Sequence, residues 1–223
     1  MRVAYISTYL PQRCGIATYT NYLVHGILAV SDASVRVVAE RGASPLSAER
    51  FECIPCWSRH EDYVDPILSA CEGADVVHVQ HEYGIYGIDD RLPRLLKALG
   101  SASKVVITIH CVKPKQISSE KQEEYTRSIA ESADEVIVHL NSAKNILLRM
   151  GIGEEKLHVI PHGTKLNEID QGDARRRLGL PMEGKIMLMF GFIKKHKCVH
   201  IALEALREIL QSVGDVYMVC LLY

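Results

Sequence analysis

Ala74-Asp75-Val76-Val77-His78-Val79-Gln80 and Lys104-Val105-Val106-Ile107-Thr108-Ile109 decide the fold. Each is a short, nearly continuous apolar run rich in β-branched residues. Such runs make strands buried on both faces, as in parallel sheets covered by helices. The same type recurs at Arg2–Ser7, Val35–Ala39, Glu135–His139 and Leu157–Ile160, and more weakly at Phe51–Pro55. Helical spacing fills the intervals. Ile16–Val30 places Ile16, Tyr19, Leu23, Ile27 and Leu28 on one side, and Tyr63–Cys71, Arg91–Leu99, Ser119–Ser132 and Ser142–Met150 follow, the last ending at Gly151. This alternation predicts an α/β fold, a Rossmann-like doubly wound parallel sheet over residues 1–164.

Residues 165–184 are charged and carry Gly172, Gly179 and Pro181. They read as a solvated linker with one short helix, on which Arg175-Arg176-Arg177 forms an exposed face. A second unit opens at residue 185 and runs to 223: the strand Lys185–Phe190, the helix His200–Gln211 and the strand Asp215–Leu221. One βαβ unit cannot bury both faces of a sheet. We therefore expect an incomplete second Rossmann-like domain, truncated after its first βαβ unit; the alternative is extra strands on the first domain.

The 26 basic and 27 acidic side chains nearly cancel, so no global charge favours nucleic acid. No apolar stretch is long enough to span a membrane, which leaves only peripheral membrane contact open. The first residues start directly as a strand, without the pattern of a signal peptide. Seven scattered cysteines suit reduced thiols and a cytoplasmic setting. Cys53-Ile54-Pro55-Cys56 has the spacing of a metal or redox pair, but no second pair follows at finger-like spacing, and we expect partly buried thiols.

Common catalytic motifs are missing. The sequence has no P-loop, no G-x-G-x-x-G after the first strand, no G-x-S-x-G elbow and no Asp-x-Asp to hold a metal–diphosphate. His78, His81 and Glu82 do not make a metal cluster, because His78 and His81 point to opposite faces of a strand; no metal and no cofactor are expected. Chemistry then falls to the loops at the carboxyl ends of the strands. Gly15 opens the first helix, where backbone N–H groups can approach an anion or simply turn the chain. His81, Glu82 and Tyr83 begin the loop H-E-Y-G-I-Y-G, whose polar and aromatic groups suit a polyhydroxylated ligand. His110 ends the next strand, and His162 and Gly163 close the last one. Lys194, Lys195 and Lys197 precede a helix in the second unit and would suit phosphate groups.

Together, C-G-I-A-T-Y-T, H-E-Y-G-I-Y-G, V-V-I-T-I-H, V-I-P-H-G-T and G-F-I-K-K-H-K resemble the family 4 retaining glycosyltransferases. The resemblance runs over essentially the whole chain. It implies a GT-B fold, two Rossmann-like domains facing across a cleft, with residues 1–164 on the acceptor side. It implies metal-independent transfer, with retention, from a nucleotide-sugar donor to a carbohydrate, lipid or small-molecule acceptor. By the same resemblance Gly15 lies against the donor diphosphate, and His110 is the catalytic histidine beside the transferred sugar. Lys197 neutralises the leaving diphosphate, helped by Lys194 or Lys195, and His81, Glu82 and Tyr83 fall on the acceptor side. Phe192 stands where the family often has arginine, and Cys198 where glycine is common. The family's E-x7-E pair is absent from the second unit; Glu123 and Glu131 have that spacing but lie on a helix of the first domain. The isolated chain is therefore expected to show little transfer. A non-catalytic sugar- or partner-binding module, or a GT-B nucleotide-sugar epimerase, are the alternatives.

Overall fold

The computed structural model describes residues 1–44, 50–164, 166, 168–191 and 195–221, with His196 by its backbone alone. It divides into two units, Met1–Gly163 and Thr164–Tyr223.

The first unit is built on β1 (Arg2–Ser7), β2 (Ser34–Glu40), β3 (Glu52–Trp57), β4 (Val76–His81), β5 (Lys104–Ile109), β6 (Glu135–Val138) and β7 (Leu157–Val159). All pair in parallel, in the order β3-β2-β1-β4-β5-β6-β7. The order reverses between β1 and β4, the switch point at which doubly wound sheets open a crevice beyond their carboxyl ends. Helices α1 (Gly15–Val30), α2 (Val64–Ala70), α3 (Tyr83–Tyr86), α4 (Arg91–Leu99), α5 (Glu120–Ser132) and α6 (Asn141–Arg149) make the connections.

Strand alternation splits the core in two. Ala4, Ile6, Val77, Val79, Val105 and Ile107 face one cluster with α4 and α5, whereas Val3, Tyr5, Val35 and Val37 face a second with α1. The second cluster is smaller because α1 alone contributes most of its cover. Cys53 and Cys56 lie half-buried on the edge strand β3. Burial pushes the Cys56 thiol up, and that of Cys71 up to about 12, which removes both from thiolate chemistry at neutral pH.

The second unit holds α7 (Gln171–Leu178), β8 (Lys185–Phe190), α8 (Val199–Ser212) and β9 (Val216–Leu221). Asp170 caps α7 through bonds from the Gly172 and Asp173 N–H groups, and Gly179 ends it in the left-handed conformation. Arg175 is no solvated charge: it donates to the carbonyls of Pro181, Met182 and Gly184 and ties α7 to the start of β8. β8 and β9 form a two-stranded parallel sheet. Two strands with two helices leave much apolar surface exposed: Leu188, Phe190 and Ile201 are 59%, 65% and 54% exposed.

Candidate active site at the carboxyl edge of the first sheet

The strand ends at the switch point bring together residues far apart in sequence. Ser7 Oγ and Thr20 Oγ1 lie 2.6 Å apart in the interior and pin α1 to the end of β1. This places Gly15 at the exposed start of α1, with no atom within 4 Å of where a Cβ would sit. Cys14, the N-cap residue, makes no side-chain capping bond, so the first N–H groups of α1 keep their capacity for an anion. One turn further, the half-buried Tyr19 ring lies edge-on against three histidines. Its centroid is 4.7 Å from His110, 5.5 Å from His139 and 4.8 Å from His162. Burial raises the Tyr19 pKa, so its phenol stays protonated.

Gly15, His110 and His162 thus share one edge, as their strand-end positions suggest, and Gly163 also has open space where a Cβ would be. His139 and Tyr19 are additions that the sequence did not single out. The register explains His139. Thr108 pairs with Ile137, so the residues two positions on, His110 and His139, emerge side by side from β5 and β6. Two neighbouring strands each followed by histidine, I-T-I-H and V-I-V-H, were the available signal; only the strand order makes them neighbours.

The histidines are held by defined partners. Nε2 of His110 lies 2.9 Å from Gln80 Oε1, and its Nδ1 lies 3.2 Å from His139 Nε2. His139 Nδ1 donates to the Ile160 carbonyl at 2.9 Å. Burial, reinforced by repulsion from His139 and His162, pushes His110 down to about 3, so it is neutral at physiological pH. Burial also lowers His139; its bond to Ile160 opposes the shift and His162 adds to it.

The H-E-Y-G-I-Y-G segment is a folded support. Glu82 caps α3 by accepting the Gly84 N–H at 2.6 Å, and Gly87 ends it at φ 76°. Ile85 and Tyr86 go inward, where Tyr86 stacks on Trp57 at 5.5 Å and donates to the Ile6 carbonyl. His81 is fully buried, with Nε2 3.3 Å from the Tyr125 hydroxyl. Tyr83 donates to Thr126 Oγ1, whose own proton goes to the Gln122 carbonyl. Of the three, only the Glu82 and Tyr83 side chains have exposed surface to offer a ligand. Arg59 fastens the segment from outside by donating to the Gly84 carbonyl at 2.9 Å and to both carboxylate oxygens of the buried Glu40.

In the second unit, Lys195 and Lys197 are exposed on a single 3₁₀ turn, Lys195–Lys197, just before α8. Cys198 is the N-cap residue of α8 at φ 53°, in the left-handed region that favours glycine. Lys194 and Phe192 lie outside the described residues. A separate cavity of about 600 Å³, lined by Arg2, Arg36, Phe51 and Gly73, opens at the amino ends of the strands, away from the edge at which such sheets bind ligands.

Residues 14–168 match Glycosyltransferase Family 4, and the chain belongs to that family. Solved GT-B structures share its fold. HepE from Anabaena in complex with UDP and glucose is 15% identical, with a TM-score of 0.68 over 99% of this chain. A putative UDP-N-acetylglucosamine 2-epimerase from Listeria monocytogenes is 16% identical, with a TM-score of 0.62 over 98% of the chain. The UDP-GlcNAc 2-epimerase of Methanocaldococcus jannaschii, solved with UDP-GlcNAc and UDP, is 13% identical, with a TM-score of 0.62 over 100% of the chain. The chain spans 60%, 61% and 66% of the lengths of these three. No curated protein matches it. Among the described residues no helix is long and apolar enough to cross a membrane.

Proposed function

We propose that this protein carries the acceptor-side domain of a retaining glycosyltransferase that uses a nucleotide sugar. The observation that carries this is the open carboxyl edge at the β1/β4 switch point, where the bare start of α1 at Gly15 stands beside Tyr19 and His110, within a Family 4 chain. In this reading residues 1–164 form the acceptor-side domain, 165–184 connect, and 185–223 begin the donor-binding domain.

The chemistry follows from charge. Leaving of a nucleoside diphosphate puts negative charge on the bridging oxygen, and the sugar becomes oxocarbenium-like. N–H groups at Gly15 and the ammonium groups of Lys197, Lys195 and Lys194 are assigned to the diphosphate, where fixed positive charge lowers the barrier. His110, neutral and held by Gln80, is assigned to the sugar, which it meets without adding a repelling positive charge. Glu82 and Tyr83 are assigned to the acceptor side, with His81 holding them from beneath. No metal or cofactor is invoked in these steps. The compartment proposed is the cytoplasm.

The test is release of nucleoside diphosphate from UDP-, GDP- and ADP-sugars by the longest natural form of the protein, with the anomeric configuration of the product read by NMR. Transfer with retention that falls at least about 100-fold in His110→Ala supports the proposal. Epimerisation at the sugar without transfer, or binding without turnover, contradicts it.

A further inference from the structure

We propose that His139 is a positioning residue of the site: it holds His110 as the Nδ1–H tautomer and takes up its one ring N–H. The chain of bonds starts on fixed backbone. The Ile160 N–H donates to the Val138 carbonyl at 2.9 Å and so continues the β6–β7 ladder. The Ile160 carbonyl, held in this way, faces His139 Nδ1 at 2.9 Å. A carbonyl can only accept, so Nδ1 of His139 carries the proton and its Nε2 presents a lone pair. That lone pair faces His110 Nδ1 at 3.2 Å. Burial keeps both rings neutral at physiological pH, so the two nitrogens bond only if His110 carries its single proton on Nδ1. Nε2 of His110 must then accept, and it lies 2.9 Å from one end of the Gln80 amide. Gln80 meets it with the amide N–H group, since turning an amide end for end exchanges nitrogen and oxygen without changing its shape. The turn also suits the other end of the amide, which is buried without a partner. An orphaned buried N–H is rarer than an under-satisfied carbonyl.

Neither ring is free to turn. Thr108 pairs with Ile137 across β5 and β6, and the His110 N–H donates to the His81 carbonyl at 3.1 Å, so both histidines leave the sheet from fixed backbone. The Tyr19 ring packs edge-on against both imidazoles, with centroids 4.7 and 5.5 Å away. The consequence for catalysis rests on the transfer reading above. The sugar gains positive charge as the donor bond breaks, and an N–H is the positive end of a dipole. An N–H spent on His139 is not turned on that sugar. Without His139 the proton moves to Nε2, Gln80 turns back to accept it, and the His110 ring loses one of its two anchors. The tautomer itself stands apart from the transfer reading, because it is set in the absence of any sugar.

The test is long-range proton–nitrogen NMR of the imidazoles in the full chain, at neutral pH and without nucleotide sugar. Wild type should show His110 protonated on Nδ1 and bare on Nε2, the opposite of the tautomer that free histidine prefers. His139→Phe keeps a ring and removes the acceptor, so the His110 proton should move to Nε2. His139→Gln restores an acceptor through its amide oxygen and should return the proton to Nδ1. Circular dichroism checks the fold of each variant, and the wild-type spectrum decides the tautomer should a variant lose it. In a transfer-competent form of the protein, His139→Phe should lower kcat at least about tenfold with the donor KM nearly unchanged, and His139→Gln should recover most of the loss. A wild-type His110 protonated on Nε2, or the same tautomer in folded His139→Phe as in wild type, would overturn the proposal. So would a wild-type kcat in a His139→Phe variant whose tautomer has switched. Absence of transfer with any donor would instead refute the proposed function, and the spectra would still decide the role of His139.

Discussion

Replacing Arg59 by leucine tests how the edge of the sheet is held. Its guanidinium donates to Glu40 Oε1 and Oε2 at 2.6 and 2.5 Å and to the Gly84 carbonyl at 2.9 Å. The Glu40 side chain is 9% exposed and that of Arg59 31%. Burial alone would push Glu40 up; the bonds from Arg59 outweigh it and hold the carboxyl below its usual range. Removing one partner of a fully buried pair costs about 3–5 kcal/mol, because a desolvated charge is left alone. Arg59 keeps about a third of its side chain in water, which lowers the expectation to about 2–3 kcal/mol. The assay is urea unfolding followed by fluorescence of the single tryptophan, Trp57, which is fully buried in this unit. The sign with pH is fixed. In Arg59→Leu the buried carboxylate is penalised above its raised pKa, so the deficit relative to wild type shrinks as pH falls. Glu40→Gln combined with Arg59→Leu removes the orphan charge and should recover about 1–2 kcal/mol relative to the sum of the single changes. A loss under about 0.5 kcal/mol, or strictly additive single changes, would refute the reasoning.

Stability should fall on mild acidification. Burial pushes His78 down to about 4 and His81 down to about 3, so the folded state keeps both neutral while the unfolded chain takes up protons below about 6.5. Each then subtracts about 2 kcal/mol at about pH 5, growing as pH drops further; Trp57-monitored urea midpoints that stay level from neutral pH to pH 5 would contradict this. In a transfer-competent form of the protein, Lys197→Ala should lower kcat by about 10²–10³ through lost stabilisation of the leaving diphosphate, with Lys194→Ala and Lys195→Ala milder. Steady-state kinetics with equal, near-wild-type rates for all three would remove the lysines from the donor site.

Strand and helix limits were legible wherever local pattern and tertiary packing agree. Lys104–Ile109 and Arg91–Leu99 occupy the positions read from sequence, because a β-branched run and a leucine stripe each allow one way to bury themselves. The third strand was faint and extends to Trp57, since it pairs on one side only and its register with β2 shifts at Ala39/Glu40. Pro55 is tolerated there because β3 is an edge. H-E-Y-G-I-Y-G looked like an adaptable loop because its two glycines, histidine and glutamate dominate the local pattern. Its fixed form comes from Tyr86 stacking on Trp57, a contact between distant segments that no local pattern reveals. His110 and His162 were visible as strand-end residues, whereas Tyr19 was seen only as part of a helix stripe and His139 only as the end of a strand. Their convergence depends on α1 crossing over β1 and on β5 and β6 being neighbours.

The central claim, that the edge formed by Gly15, Tyr19 and His110 receives the sugar, is tested most directly by imidazole NMR of the nitrogen-15-labelled chain titrated with UDP-, GDP- and ADP-sugars. Resonances of His110, His139 and His162 should move together for at least one donor, while His25 on α1 and His158, paired with Glu135, stay in place. Saturable shifts confined to other histidines, or none with any donor, would contradict it.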